Sequence, residues 1–215
     1  MLIVGAKGFA KEVLEVLKQL NEVENIVFYD DVTENMPEYL YDQFKILRNI
    51  QEVNIYFENI DNRFTLGIGD PKLRKILTDK FESIGGVFTS TISPKAIIGS
   101  FGNKIMHGVN LMSGVTITND ILIGKGVIIN LNSTIGHDCE IEDYVEISPG
   151  VNISGNCKIG AFSVLGTNAT ILPRVIIGQN VIIGAGSVVT KDIPDNCLVV
   201  GTPGKIIKNL EPLKF

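Results

Sequence analysis

From Ile105 to Val189 every sixth residue is aliphatic, fifteen positions without a slip. The run includes Ile117, Ile129, Ile141, Ile153, Leu165 and Ile177. The position four residues further on is restricted as well. It holds side chains such as Val109, Ser133, Cys139, Val151 and Ala169, and never an aromatic or charged one. The residue after the aliphatic one is often glycine, as at Gly124, Gly136, Gly160, Gly166, Gly178 and Gly184. No 3.6-residue helix keeps a period of six over this length, and plain strand alternation would place aliphatics at every second position. Two inward positions per six residues suit a short strand followed by a bend. Three bends close a triangular coil, and stacked coils satisfy one another's backbone groups as parallel strands around a column of aliphatic side chains. Glycine near each bend is expected to supply backbone freedom. Fifteen hexads make five coils, a prism on the order of 24 Å tall at the usual strand spacing.

The pattern of an aliphatic residue, a glycine or small residue, two free positions, a small residue and a free position resembles the hexapeptide-repeat acyltransferases. That resemblance implies a left-handed parallel β-helix, an exception to right-handed crossovers. It further implies a homotrimer with acyl-CoA lying along the prism between subunits.

The net charge is −5, and all of the excess lies before Ile92, where 10 basic residues face 15 acidic ones. Neither half has the basic surface of a nucleic-acid binder. No apolar stretch reaches membrane-spanning length. Lys7, Lys11 and Glu12 interrupt the first apolar run, so it does not read as a signal peptide, and a cytoplasmic location is expected. Three cysteines, Cys139, Cys157 and Cys197, make no disulfide framework. The first two are spaced to stack inward on adjacent coils, as small core residues rather than as a redox pair.

Ahead of the repeat, Met1 to Val4 is a short apolar strand that opens on Gly5-Ala6-Lys7-Gly8-Phe9. Ala10, Val13, Leu14, Leu17 and Leu20 follow at helical spacing. Strand, glycine turn and helix form the first unit of a nucleotide-binding fold, although the third glycine of the usual fingerprint is missing. A second strand over Asn25 to Tyr29 ends in Asp30-Asp31, where acidic residues in such folds often bind a sugar hydroxyl, the alternative being a solvated loop pair. The pattern further gives strands near Phe44 to Leu47, Thr65 to Gly69 and Val87 to Thr89, and a helix over Pro71 to Phe81. The stretch from Thr33 to Ile60 yields no clear reading apart from the strand near Phe44. Ser93-Pro94 marks the boundary of the repeat, Ile98 to Ile105 is one residue longer than a hexad, and proline and glycine after Val189 end the prism. The fold expected is therefore an α/β, Rossmann-like domain over residues 1–91, a left-handed parallel β-helix over 92–205 and a C-terminal tail, helical or irregular, over 206–215.

The two halves together resemble the sugar acyltransferases typified by the bacterial UDP-4-amino-sugar N-acetyltransferase of glycan biosynthesis and the sialic acid O-acetyltransferase. G-A-x-G and D-D in the first half, V-V-T-K-D-I-P and V-G-T-P-G-K at the end of the second, carry the likeness.

Only two histidines are present, His107 and His137, too few for the three-histidine zinc site of β-helical carbonic anhydrases, so no metal is expected. His137 follows an inward aliphatic by two residues and so points outward near a bend. Acyl transfer needs a base that is neutral near pH 7, and imidazole fits. Asp138 beside it could orient the ring. Gly155 lies one coil further on, where its N–H could stabilise a thioester oxyanion. His107 falls on a different face and reads as a surface or interface residue.

What remains is implied by the resemblance: His137 as general base with Asp138 enhancing it, Asn130 near the catalytic histidine, and Glu146, Thr167 and Ala185 along the acetyl-CoA groove. Where Glu146 stands the family commonly has histidine. The positions matching the nucleotide-sugar site are Lys7, Gly8, Phe9, Asp30, Asp31 and Gly69, and Arg74 is added for the diphosphate on charge alone. Lys191 and Lys205 are either contacts to CoA phosphates or solvated lysines. The activity expected is acetyl-CoA-dependent N-acetylation of a UDP- or dTDP-linked 4-amino sugar. O-acetylation of sialic acid or a similar sugar, another acyl donor, and a non-catalytic β-helical scaffold are the alternatives.

Overall fold

The computed structural model describes residues 1–215. The first part is a six-stranded sheet flanked by helices: β1 (Leu2–Val4), α1 (Gly8–Gln19), β2 (Val27–Tyr29), β3 (Tyr39–Leu40), β4 (Phe44–Leu47), α2 (Ile50–Asn59), β5 (Arg63–Leu66), α3 (Pro71–Glu82) and β6 (Val87–Phe88). The strand order is β3-β4-β2-β1-β5-β6, parallel except for the β3–β4 pair. The chain runs outward from β1 through β2 and then returns to β1's other side with β5. The carboxyl ends of β1, β2 and β5 thus meet at a topological switch point, where such sheets bind ligands.

Two features of this domain differ from the sequence reading. The unread stretch holds β3 and α2, whose first turn is fixed by Asn49: its side chain accepts from the N–H of Glu52, while the Glu52 carboxylate accepts from Arg48 N. The close helix–strand contact that a third glycine usually permits is supplied from the opposite side. Gly67, just after β5, has no room for a β-carbon, which would stand 2.4 Å from Cβ of Ala10 on α1.

The second part is the three-faced prism. Its first face stacks strands beginning at Thr91, Asn110, Ile128, Glu146, Val164, Ile182 and Cys197; its second, strands at Ile97, Thr116, Thr134, Asn152, Thr170 and Val188; its third, strands at Lys104, Leu122, Glu140, Lys158 and Ile176. The register advances by one coil at each step, as from Ile129 to Ile147 to Leu165. The aliphatic column is buried throughout, from Leu111 to Val189. Each such side chain contributes roughly 1.5–3 kcal/mol. The extra residue between Ile98 and Ile105 is absorbed by Asn103, whose side chain donates to Gly99 O and Thr118 O and accepts from Ile121 N.

The glycines after the aliphatics act differently from expectation. None of them has a positive φ; that conformation belongs two residues later, at Asp120, Asn132, Asp138 and Asn156 among others. Their role is close stacking: a β-carbon on Gly136 would meet Gly155 N at 2.7 Å, and one on Gly160 would meet Gly178 C at 2.4 Å. The C-terminal segment also departs from a helix or tail. Lys205–Asn209 is a strand, antiparallel to Cys197–Val200, and it covers the edge of the first face. Cys139 and Cys157 are both free and buried in the prism core.

The α/β domain docks on the first face. Asn110 donates to Leu66 O and accepts from Thr65 Oγ1, and Gln19 at the end of α1 accepts from Ser93 Oγ and Ser113 Oγ. Tyr144, on the outside of the prism, belongs to the same apolar cluster as Phe64 and Phe81, so the core of the α/β domain extends onto the prism surface. No helix is long and apolar enough to cross a membrane.

Candidate active site

Two cavities lie on either side of the turn that follows β1. The first, of about 310 Å³, opens at the switch point. Lys7, Asp30 and Asp31 line it, as do Gly5, Thr33 and Gly67, which the sequence reading left out. Asp30 is a buried carboxylate spent on its own loop: it accepts from Val32 N, Thr33 N and Thr33 Oγ1 at 2.8–3.2 Å. Asp31 accepts from the Tyr29 hydroxyl at 2.6 Å and pairs with Lys80 at 3.4 Å. Although burial works against it, these contacts hold the Asp31 carboxyl below its usual range. Tyr29 and Lys80 carried no motif that could have announced them.

The second cavity, of about 210 Å³, lies between α1 and the first face of the prism. Phe9 and Gly69 line it from the α/β domain, Asn130 and Glu146 from the prism. Gly8 starts α1 between the two cavities, where the first free N–H groups of the helix point outward. Five of the six substrate positions named from sequence therefore line one cavity or the other, and the sixth separates them.

Arg74 does not reach either cavity. It is wholly buried and donates to Gly126 O at 2.8 Å and Tyr144 O at 2.6 Å, tying α3 to two stacked corners of the prism. A diphosphate contact is excluded by this burial. Burial lowers its pKa to about 10, against the pull of Glu146 and Asp70, so it stays charged at neutral pH. His107 sits at the domain junction, edge-on to the Phe88 ring and 3.9 Å from Glu82.

His137 occupies the corner between the second and third faces, directly after the strand Thr134–Ile135. Its Nδ1 is 2.6 Å from Asp138 Oδ2, and its side chain is 63% exposed. Asp138 holds a left-handed φ of 57°, the turn conformation that brings its carboxylate back to the ring beside it. With Nδ1 engaged by a carboxylate, Nε2 carries the lone pair. Gly155 packs against that edge of the ring, and its N–H forms no hydrogen bond within the chain. His137, Asp138 and Gly155 are thus brought together. Asn130 is not with them: it sits at the corner between the first and second faces, on the wall of the second cavity. Thr167 and Ala185 stack at that same corner on later coils, whereas Glu146 is on a first-face strand. Within one chain the His137 corner lies opposite the face that carries both cavities.

Comparison with known proteins now adds to this geometry. Residues 1–81 match the PglD N-terminal domain, and residues 156–191 match the bacterial transferase hexapeptide model of six repeats. A variant of perosamine N-acetyltransferase from Caulobacter crescentus, solved with CoA and GDP-perosamine, is 31% identical with a TM-score of 0.88 over 97% of this chain and 96% of that one. The chain belongs to the hexapeptide-repeat, left-handed β-helix nucleotide-sugar N-acetyltransferases. WeeI from Acinetobacter baumannii AYE is 30% identical, with a TM-score of 0.86 over 96% of this chain and 98% of that one. The acetyltransferase domain of PglB from Neisseria gonorrhoeae FA1090, solved with acetyl coenzyme A, is 29% identical, with a TM-score of 0.85 and the same coverage. A comparison with curated protein sequences finds no significant match. In this family the coil is left-handed, and the chain is an acetyl-CoA-dependent acyltransferase.

Proposed function

We propose that the protein transfers the acetyl group of acetyl-CoA to the amine of a nucleotide-linked amino sugar, with His137 as general base. The observation that carries this reading is the pairing, in one chain, of a switch-point cavity with a His–Asp pair whose Nε2 faces outward beside a free glycine amide. The nucleotide occupies the first cavity, with Lys7, Asp30 and Asp31 on its walls and its diphosphate at the Gly8 end of α1. As the amine attacks the thioester carbonyl, Nε2 of His137 takes its proton. The oxyanion of the tetrahedral intermediate accepts a hydrogen bond from Gly155 N–H. Collapse expels the CoA thiolate, which recovers the proton from the imidazolium. Asp138 keeps Nδ1 protonated and steadies the cation that forms in between. The acyl-CoA path runs along Thr167 and Ala185, with Glu146 and Asn130 at its substrate end.

Since His137 and the cavities occupy opposite sides of one prism, a homotrimer would complete the site by setting the histidine of one copy against the cleft of its neighbour. Assayed at nucleotide-sugar concentrations well below the raised KM of Asp30→Ala, mixed oligomers of His137→Ala and Asp30→Ala should then exceed the mean activity of the two variants kept apart. No such excess on mixing would mean that each chain works by itself. A cytoplasmic location accords with both co-substrates.

The test of the reaction is CoA release from acetyl-CoA against UDP-, dTDP- and GDP-linked 4-amino sugars, with free sialic acid as comparator. Turnover of one nucleotide amino sugar is expected, and it names the base. GDP is included because the Caulobacter relative was solved with GDP-perosamine. Turnover of sialic acid alone would replace the reading with O-acetylation, and failure to bind CoA would leave a scaffold.

A further inference from the structure

We infer that Tyr29 and Lys80 are positioning residues for the nucleotide half of the substrate: together they hold one carboxylate oxygen of Asp31, so that the other is presented to a hydrogen-bond donor on the nucleoside. The inference rests on the nucleotide-linked sugar proposed above as substrate.

Two acidic side chains line the first cavity, and their oxygens are used differently. Asp30 spends both on its own loop. Its Oδ1 accepts from the N–H groups of Val32 and Thr33, and its Oδ2 from Thr33 Oγ1. Asp31 engages Oδ2 alone, which accepts from the Tyr29 hydroxyl at 2.6 Å and from Lys80 Nζ at 3.4 Å. Oδ1 of Asp31 is thus the carboxylate oxygen of this cavity that no other residue occupies. An ionised carboxylate only accepts, so the ligand has to bring the donor, either a ribose hydroxyl or a base N–H.

The two groups that hold Oδ2 are themselves fixed. Tyr29 ends β2, is buried, and sets its ring edge-on to Phe81 of α3 with centroids 5.2 Å apart. Its hydroxyl accepts from Lys80 Nζ at 3.0 Å while donating to Asp31. Lys80, on α3, places Nζ 5.0 Å from the centre of the same ring. Asp31 stands just beyond β2 and is thereby tied to a strand and a helix at once. Its side chain is more than a third exposed, so without these ties it would sample several rotamers. Ordering it would then weaken ligand binding. Lys80 also balances a carboxylate that would otherwise repel the diphosphate of the ligand. An ion pair this exposed adds little to the stability of the fold, so its effect falls on binding.

Tyr29→Phe removes the hydroxyl and keeps the ring on Phe81, and Lys80→Met removes the ammonium and keeps the stem. Calorimetry with free UDP, dTDP and GDP finds which nucleoside diphosphate the wild-type protein binds, and that nucleotide is the probe. Each variant should bind it about three- to tenfold more weakly and raise the KM for the nucleotide sugar by the same factor. The kcat, the KM for acetyl-CoA and the thermal midpoint should stay at wild-type values. Lys80→Arg should recover most of the loss. Asp31→Ala should lose at least as much as either variant, and adding Tyr29→Phe or Lys80→Met to it should cost nothing more, because residues that act through one carboxylate are not additive. The 2′,3′-dideoxy form of the probe names the donor. A loss in Asp31→Ala confined to the ribose form assigns a ribose hydroxyl, and an equal loss in both forms assigns a base N–H. Unchanged nucleotide affinity in Tyr29→Phe and Lys80→Met would overturn the inference. So would a loss that persists in full on the Asp31→Ala background, or a fall in thermal midpoint that takes kcat and the acetyl-CoA KM with it. Failure of the parent reading is separate, since the wild-type protein would then bind none of the three nucleotides.

Discussion

A β-carbon on Gly155 would stand 2.6 Å from Nε2 of His137. The imidazole is seated against a backbone that has to lack a side chain. Since Gly155 does not need a positive φ, Gly155→Ala should fold and displace the ring. We expect its kcat to fall at least about tenfold, and that of His137→Ala by about 10²–10⁴, the range general-base catalysis supplies. Thermal midpoints should stay near wild type. Full activity in Gly155→Ala would mean the ring does not need this seat.

The carboxylate on the other side of the ring is a milder lever. Asn tolerates the left-handed backbone that Asp138 adopts, so Asp138→Asn keeps the turn and removes the charge. The pair is more than half exposed, which limits its worth. A loss of about tenfold in kcat, with the acetyl-CoA KM unchanged, is the expected outcome. An unaltered kcat would reduce Asp138 to a turn residue.

Asp30 should act on the other substrate. Its three accepted hydrogen bonds hold the loop from Val32 to Thr33 at the mouth of the first cavity. Asp30→Ala frees that loop, and we expect the KM for the nucleotide sugar to rise about tenfold or more while the acetyl-CoA KM holds. Equal changes in both constants would point to a general loss of fold.

How far the sequence reached depends on what each feature rests on. The prism was readable because its period is set by backbone stacking, which imposes the same demand on every coil. His137, Asp138 and Gly155 could be placed together because one hexad offset and one coil offset are fixed by that same stacking. The α/β domain has no such ruler. Helix α2 hides its start signal, Asn49 with Glu52 three residues on, behind exposed Ile55 and Ile60, which blur the buried face of Val53, Tyr56 and Phe57. The glycines of the repeat are visible in the sequence but their cause is not, since crowding between coils leaves no trace in one-dimensional spacing. Arg74 misled for a related reason: charge is visible in a sequence, and burial of a cation against carbonyls is not.

Arg74 itself gives the clearest stability prediction. Removing it deletes two charge-assisted hydrogen bonds and leaves the carbonyls of Gly126 and Tyr144 without donors at the domain junction. Arg74→Ala should lower the unfolding free energy by about 3 kcal/mol in urea titration. A variant that loses nucleotide-sugar affinity with unchanged stability would restore the diphosphate role that its burial excludes.

Glu146 makes the opposite prediction for stability. Its carboxyl is raised in the folded state, chiefly by burial. A carboxyl that holds its proton more tightly when folded favours folding below its unfolded pKa, and that contribution is lost as the pH rises through the folded pKa. At pH 7 the ionised side chain therefore weakens the fold, and Glu146→Gln should melt above wild type. Lowering the pH through the raised folded pKa, where the carboxyl takes up its proton, should close the gap. Thermal melts of both proteins across that range give the answer. A variant that melts below wild type at pH 7 would make the carboxylate a counter-charge for Arg74. One that melts above it identifies a charge kept in the cleft at the expense of stability, as a group that meets its partner only when substrate arrives would be.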